Sequence, residues 1–187
     1  MIIGFDLDDT IANFSETLFR YACEYDSTLR NKGIIKQNNH LIKGRFDWTR
    51  SEYQEFYKKY LELARYNLKP FENVKEVIDK LRKLNHKIEI ISSRNTDSLK
   101  ITREWLNKYE IEVDKLVLDA QYKGYVALYL GIDLFFDNSP EVCEDTESKG
   151  IKTYIYTSHQ NKNYTHKNIG RVNNWQEIYD EVIRAQN

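Results

Sequence analysis

Short apolar runs separated by longer amphipathic stretches set the rhythm of this chain. The runs "IIGFD" (2–6), "KIEIIS" (87–92), "KLVLD" (115–119), "DLFFD" (133–137) and "KTYIY" (152–156) are too short for helices and read as buried strands. Helical patterns lie between them. In "NVKEVIDKLRKL" the apolar residues Val74, Val77, Ile78, Leu81 and Leu84 recur at helical spacing on one face. "SLKITREWLNKY", "KGYVALYLG" and "EVCEDTESKG" predict further helices, the last two stopped by Gly131 and Gly150. "WQEIYDEVIRAQ" predicts a closing helix. Strands alternating with helices predict an α/β fold with a mainly parallel sheet.

One interval breaks the alternation. Residues 14–70 contain no convincing strand but two helical candidates, "FSETLFRYACEYD" and "SEYQEFYKKYLELARY", with a polar and irregular stretch between them. The interval holds eleven aromatic side chains, as a small helical unit needs large residues to build a core. Pro70 disfavours helix just before it and marks a boundary. The expected organisation is a core of residues 1–13 and 71–187, with residues 14–70 as a small helical cap inserted after the first strand. The polar segment "TSHQNKNYTHKNIG" (157–170) reads as a loop.

Composition narrows the classes. Twenty-eight basic residues against 29 acidic give a net charge of -1, which gives no support for a backbone-binding basic face, so a nucleic-acid polymer is not the expected partner. The two cysteines, Cys23 and Cys143, form neither a metal-binding spacing nor a disulfide framework. No apolar run approaches the ~20 residues that span a bilayer, and only "IIGF" precedes the first Asp. A cytoplasmic protein without membrane partners is the expectation, and a homo-oligomer is compatible with it.

The chemistry lies at the predicted strand ends. "IIGFDLDDT" delivers Asp6, Asp8 and Asp9 directly behind an apolar run, and ligands of open α/β sheets bind beyond the carboxyl ends of the strands. Side chains alternate along extended chain, so Asp6 and Asp8 project in a similar direction if the backbone stays extended through Leu7. Converging carboxylates need a positive charge, and magnesium is the economical one because it takes hard oxygen ligands and keeps several waters. The competing local reading is an acidic helix N-cap at Asp9 and Thr10. The next strand ends in Ser92, Ser93 and Arg94, whose hydroxyls and amides suit phosphate oxygens, with a helix beginning near Asp97. Lys123 precedes another helix, and "DLFFD" ends in Asp137. Each has a plain explanation alone: turn serines, a solvated lysine, a cap before Pro140. Together, in this order, they point to one phosphate-handling centre.

The order "DLDDT", "IISSR", Lys123, "FFDNSPE" resembles the haloacid dehalogenase superfamily of phosphatases and phosphotransferases over nearly the whole chain outside the insertion. Within it, "DLDDTIANF" looks like the opening of the 5'(3')-deoxyribonucleotidase type. "IKTYIYTSHQNKN" followed by "RVNNWQEIYDEV" is similar to the C-terminal pattern of nucleotidases in that group.

That resemblance implies a Rossmann-like three-layer core and a set of roles. Asp6 would be the nucleophile that forms an aspartyl-phosphate. Asp8 would be the general acid for the leaving alcohol and then the base for water. Lys123 would offset developing charge, while Ser92, with Ser93 and Arg94 beside it, would hold phosphoryl oxygens. Magnesium would sit on the Asp6 carboxylate, the Asp8 main-chain carbonyl and Asp137. Members often carry a second carboxylate at the last motif; here Asn138 is adjacent, leaving Glu141 and Asp145 as candidates. The cap would close over the site and read the leaving group. Phe14 stands where the pattern also has Phe, and "GRFDWTR" offers Arg45, Phe46 and Trp48 as a platform for a base, or as anchors for the next helix. The expected substrate is a small phosphate monoester, foremost a (deoxy)nucleoside monophosphate. A sugar phosphate, or phosphate-ligand binding without turnover, is the alternative.

Overall fold

The computed structural model describes residues 1–36 and 42–186. Among these the chain divides into two compact units, Asn13–Lys69 and the remainder. In the larger unit, six parallel strands form one sheet: β1 (Ile2–Phe5), β2 (Lys87–Ile91), β3 (Lys115–Val117), β4 (Leu134–Asp137), β5 (Lys152–Tyr156) and β6 (Gly170–Val172). Their order is β3-β2-β1-β4-β5-β6, the doubly wound arrangement in which the chain reverses direction of growth beside β1. That reversal puts the carboxyl ends of β1, β2 and β4 side by side, the place where open α/β sheets bind ligands.

The larger unit's helices are α3 (Val74–Lys83), α4 (Leu99–Lys108), α5 (Lys123–Leu130), α6 (Pro140–Glu147) and α7 (Trp175–Gln186); the smaller unit's are α1 (Phe14–Leu29) and α2 (Arg50–Asn67). The face expected for α3 is the one it buries, through Val74, Val77, Ile78 and Leu81, while Leu84 lies just past its end and is exposed. On one side of the sheet, Ala127 of α5 packs with Ile91, Phe135 and Ile151. A ladder of rings covers β5, β4 and β1 elsewhere: Tyr154 stacks on Phe136, Phe136 on Phe5, and Phe5 on Trp175, with centroids 5.1–5.2 Å apart. The register places Phe5 beside Phe136 and Phe136 beside Tyr154, so the stacking follows from strand pairing. Gly4 is small of necessity, because a Cβ there would lie 2.6 Å from the Phe135 ring.

Three expectations differ in detail. β6 was not expected: three residues at a sheet edge leave no apolar run to recognise. β3 stops at Val117 rather than Asp119, whose φ of 58° turns the chain away from extended geometry. Asp9 and Thr10 cap no helix; Asp9 sits at φ 61° in a turn, and α1 starts only at Phe14 behind Asn13. Gly131 ends α5 in the left-handed conformation as read, and Gly150 takes the same conformation after α6. No described helix is long and apolar enough to cross a membrane.

The smaller unit buries its own core. α1 and α2 pack together around Tyr25, Phe46, Trp48, Phe56 and Tyr60. A capping box starts α2: the Thr49 hydroxyl accepts from the Glu52 amide and the Glu52 carboxylate from the Thr49 amide. Of the polar stretch expected between the two helices, residues 37–41 lie outside the described residues.

Candidate active site

The first loop is fixed at both ends. The Asp6 amide donates to the Phe136 carbonyl at 2.9 Å, extending the β1–β4 pairing one residue past the strand. Downstream, the buried indole of Trp175 donates from Nε1 to the Thr10 carbonyl at 3.1 Å. Asp6 is therefore carried on rigid backbone although it follows the strand.

Three charged side chains from distant parts of the sequence meet there. Lys123, the first residue of α5, donates from Nζ to Asp6 Oδ1 at 2.5 Å and to Asp137 Oδ2 at 2.9 Å. All three are buried, Asp6 at 5% exposure, Lys123 at 6% and Asp137 at 1%. Lys123 is thus no solvated surface charge. The second oxygen of Asp137 accepts from the Ser139 amide at 2.8 Å. Ser139, not Asp137, caps the following helix, with Pro140 as its first residue.

The electrostatics follow from two carboxylates facing one ammonium at a buried position. Burial pushes the Asp6 carboxyl up to about 7; Lys123 opposes this, and the carboxylates of Asp137 and Asp8 add to it. Burial draws Lys123 down, but Asp6 and Asp137 outweigh it and hold the ammonium above its usual range. With all three groups ionised the cluster carries one more negative charge than positive. Its free donors are hard oxygens, and among the described residues no group of three His, Cys, Asp or Glu gathers as a metal cage. Two carboxylates fit a hard cation that keeps part of its water shell, and the cluster offers none of the thiolate or imidazole ligands that softer metals favour.

Asp8 takes a different environment. Both its oxygens accept from Arg94, Oδ2 from Nε at 2.9 Å and Oδ1 from Nη2 at 2.5 Å. Arg94 is buried, and its guanidinium is engaged by Asp8 rather than offered to solvent. Ser92 is buried at the end of β2, and its Oγ accepts from the Arg94 amide at 3.2 Å. Ser93 is exposed at the same turn.

The two extra carboxylates are accounted for locally. Glu141 accepts from the Ser139 hydroxyl at 2.8 Å, and its own backbone N–H together with that hydroxyl holds it below the usual carboxylate range. Asp145 accepts from the Gly124 amide at 3.0 Å and pairs with Lys149, which ties α6 to the start of α5, where Lys123 sits.

Of the residues expected to select substrate, two need correction. Phe46 and Trp48 form no open platform: they stack on each other at 4.5 Å inside the smaller unit, and Trp48 Nε1 donates to buried Asp26 at 2.8 Å. A small helical unit has few ways to exclude water, and its largest rings go inside. Arg45 is half-buried with its guanidinium 3.9 Å above the Phe19 ring, and Phe14 is half-buried against the same core.

Sequence reading missed Thr102, Asn161 and Trp175. Thr102 Oγ1 accepts from Arg94 Nη1 at 3.1 Å. Asn161, in the loop read as structureless, donates to the carbonyls of Asn138 and Tyr156 at 2.7 and 2.8 Å and so clamps the turn after Asp137. Each is an ordinary polar or aromatic residue whose partner is remote in sequence, so no local signal marks it.

The geometry can be set beside known proteins. A family model described as 5' nucleotidase, deoxy (pyrimidine), cytosolic type C protein matches residues 1–187. A nucleotidase of Clostridium acetobutylicum is 33% identical over 134 residues, covering 71% of this chain and 69% of that protein. The YqfW protein of Bacillus subtilis is 31% identical over 183 residues, covering 94% and 90%. In fold, the chain is similar to a crystal structure of a HAD-superfamily hydrolase from Geobacter sulfurreducens, with a TM-score of 0.66, 13% identity, and coverage of 97% and 95%. A buried Asp–Lys–Asp cluster at the carboxyl edge of a doubly wound sheet, a full-length family match and relatives of this kind agree: the chain has a haloacid dehalogenase-like fold, belongs to the 5' nucleotidase, deoxy (pyrimidine), cytosolic type C family, and is a phosphoric monoester hydrolase.

Proposed function

We propose that this hydrolase is a magnesium-dependent nucleotidase that cleaves nucleoside monophosphates through an aspartyl-phosphate on Asp6. The observation that carries the mechanism is Lys123 Nζ between Asp6 and Asp137, 2.5 and 2.9 Å away. A carboxylate attacking a phosphate dianion brings like charges together, and the buried ammonium offsets that repulsion where it arises. The Asp6 and Asp137 carboxylates, with the Asp8 main-chain carbonyl, would hold magnesium, which when bound supplies further positive charge to the phosphoryl oxygens.

The residues of the chain divide the remaining work. Asp6 attacks phosphorus as the bond to the leaving oxygen breaks, and that oxygen takes its proton from Asp8. Asp8 then removes a proton from water, which attacks phosphorus and frees Asp6. The two carboxylates suit different jobs because Asp6 faces an ammonium and a second carboxylate in a dry pocket, whereas Asp8 lies on a guanidinium with a quarter of its side chain exposed. Ser92 and the amides of its turn would bind phosphoryl oxygens. Choice of leaving group we assign to the helical unit, with Phe14 and Arg45 as its partly exposed aromatic and cationic groups.

A panel of phosphate monoesters with magnesium tests this reading. Purified protein is expected to release phosphate from nucleoside monophosphates with a kcat/KM at least tenfold above that for sugar phosphates, and chelation by EDTA is expected to abolish turnover. Equal rates on both classes would favour the sugar-phosphate alternative. Undiminished turnover in EDTA would remove the metal from the account.

A further inference from the structure

Arg94 is built as a support for Asp8. Its side chain is 1% exposed, and its guanidinium is committed to Asp8 on one edge and to Thr102 on the other. Three groups hold it in place. The backbone carbonyl of Arg94 accepts from the Asp119 amide at 2.7 Å, its amide donates to Ser92 Oγ, and Nη1 donates to Thr102 Oγ1 on α4. Thr102 is itself completely buried, so the guanidinium plane is set from behind. Nε and Nη2 then meet the two Asp8 oxygens in a parallel two-point grip. Such a fork fixes the plane and rotation of a carboxylate as well as its position, which a lysine at the same place would not do.

We infer that Arg94 is a positioning residue for Asp8, setting the orientation from which its carboxyl passes a proton to the leaving oxygen; this rests on the reading of Asp8 as general acid. The grip uses one lone-pair direction on each oxygen, so a second direction on an oxygen remains for the proton that the carboxyl form of Asp8 gives to the leaving oxygen. In the step concerned, the phosphorus–oxygen bond breaks with its electron pair going to the leaving oxygen, which takes the proton from Asp8; Arg94 gives up nothing. Arg94 serves the turnover of alcohol leaving groups and does not bind phosphate.

Leaving-group dependence separates this role from a merely structural one. A nucleoside leaves as a poorly stabilised alkoxide unless it is protonated, whereas p-nitrophenolate departs without an acid. The quantity to compare is kcat/KM, which covers steps only through departure of the leaving group. Arg94→Met, with magnesium present, is expected to lower kcat/KM for a nucleoside monophosphate by about 10²-fold, within the usual range for general acid catalysis. The loss on p-nitrophenyl phosphate is expected to be at least tenfold smaller. KM for the nucleotide should stay within about threefold, and Arg94→Lys, which keeps the charge without the fork, should recover only part of the rate. An equal loss on both substrates would overturn the inference in favour of a structural role, and so would a rise in KM with kcat preserved, which marks a phosphate contact. Asp8→Asn, run alongside, keeps two failures apart. If Asp8→Asn shows the leaving-group selectivity and neither Arg94 variant does, only the inference about Arg94 fails; if Asp8→Asn shows none, the general-acid reading itself fails.

Discussion

Asp6→Asn is expected to abolish phosphate release, by roughly four orders of magnitude or more, while the protein stays folded. The substitution keeps the size and shape of the side chain but removes the attacking oxygen's charge. No neighbour replaces it: Asp137 is turned onto Lys123 and the Ser139 amide, and both oxygens of Asp8 are held by Arg94. Folding should not suffer, because the cluster has two carboxylates for one ammonium, and the amide brings it to charge balance with Lys123 still paired to Asp137. Active sites commonly carry charge that costs stability, so the melting temperature should hold or rise. Turnover assays and thermal melts read both effects. Wild-type turnover would exclude Asp6 as the nucleophile, and a collapsed melt would show that the carboxylate is structural.

Lys123→Met is expected to damage both activity and stability. The methionine keeps most of the buried chain but withdraws the ammonium from Asp6 and Asp137, both almost wholly dry. Breaking a buried pair by removing one partner costs about 3–5 kcal/mol, because the remaining charge is left without compensation. One of the two carboxyls then takes up a proton to relieve the repulsion, which removes either the nucleophile or a metal ligand. Turnover should fall by about 10³-fold or more, the order seen when a group stabilising transition-state charge is lost. Added magnesium should raise the melting temperature of wild type and variant alike, since a cation binding only the folded state stabilises it by an amount that grows with the logarithm of its concentration over its Kd. A melt unchanged from wild type would mean that the ammonium is not paired in solution as it is here.

Much of the fold was legible because its signals are local. β5 spans the five residues that its apolar run marks out, and α7 the twelve of its amphipathic pattern. The reading was weakest where tertiary pairing decides: β6 is strand only because β5 lies beside it, and β3 ends where Asp119 turns to meet the Arg94 carbonyl. The charged centre was legible for a related reason. Asp6, Lys123 and Asp137 each stand at the end of a recognisable element, and a parallel sheet brings such ends together. The supports of that centre gave no such notice. Arg94 and Asp8 are 86 positions apart, Trp175 and Thr10 are 165 apart, and Asn161 lies in an unpatterned loop. The aromatic residues of the insertion misled for another reason. Composition records that Phe46 and Trp48 are large and flat, which suits a nucleobase and a core equally well, and only packing separates the two uses.

The covalent step on Asp6 is the centre of this account, and the stereochemical course at phosphorus tests it most directly. With a nucleotide whose phosphoryl group is made chiral by oxygen isotopes and sulfur, transfer to water is followed by analysis of the product's configuration. Attack by a carboxylate and then by water is two in-line displacements, so the account predicts retention. Inversion would mean a single direct attack by water, and Asp6 would then be a ligand or a base but not the nucleophile.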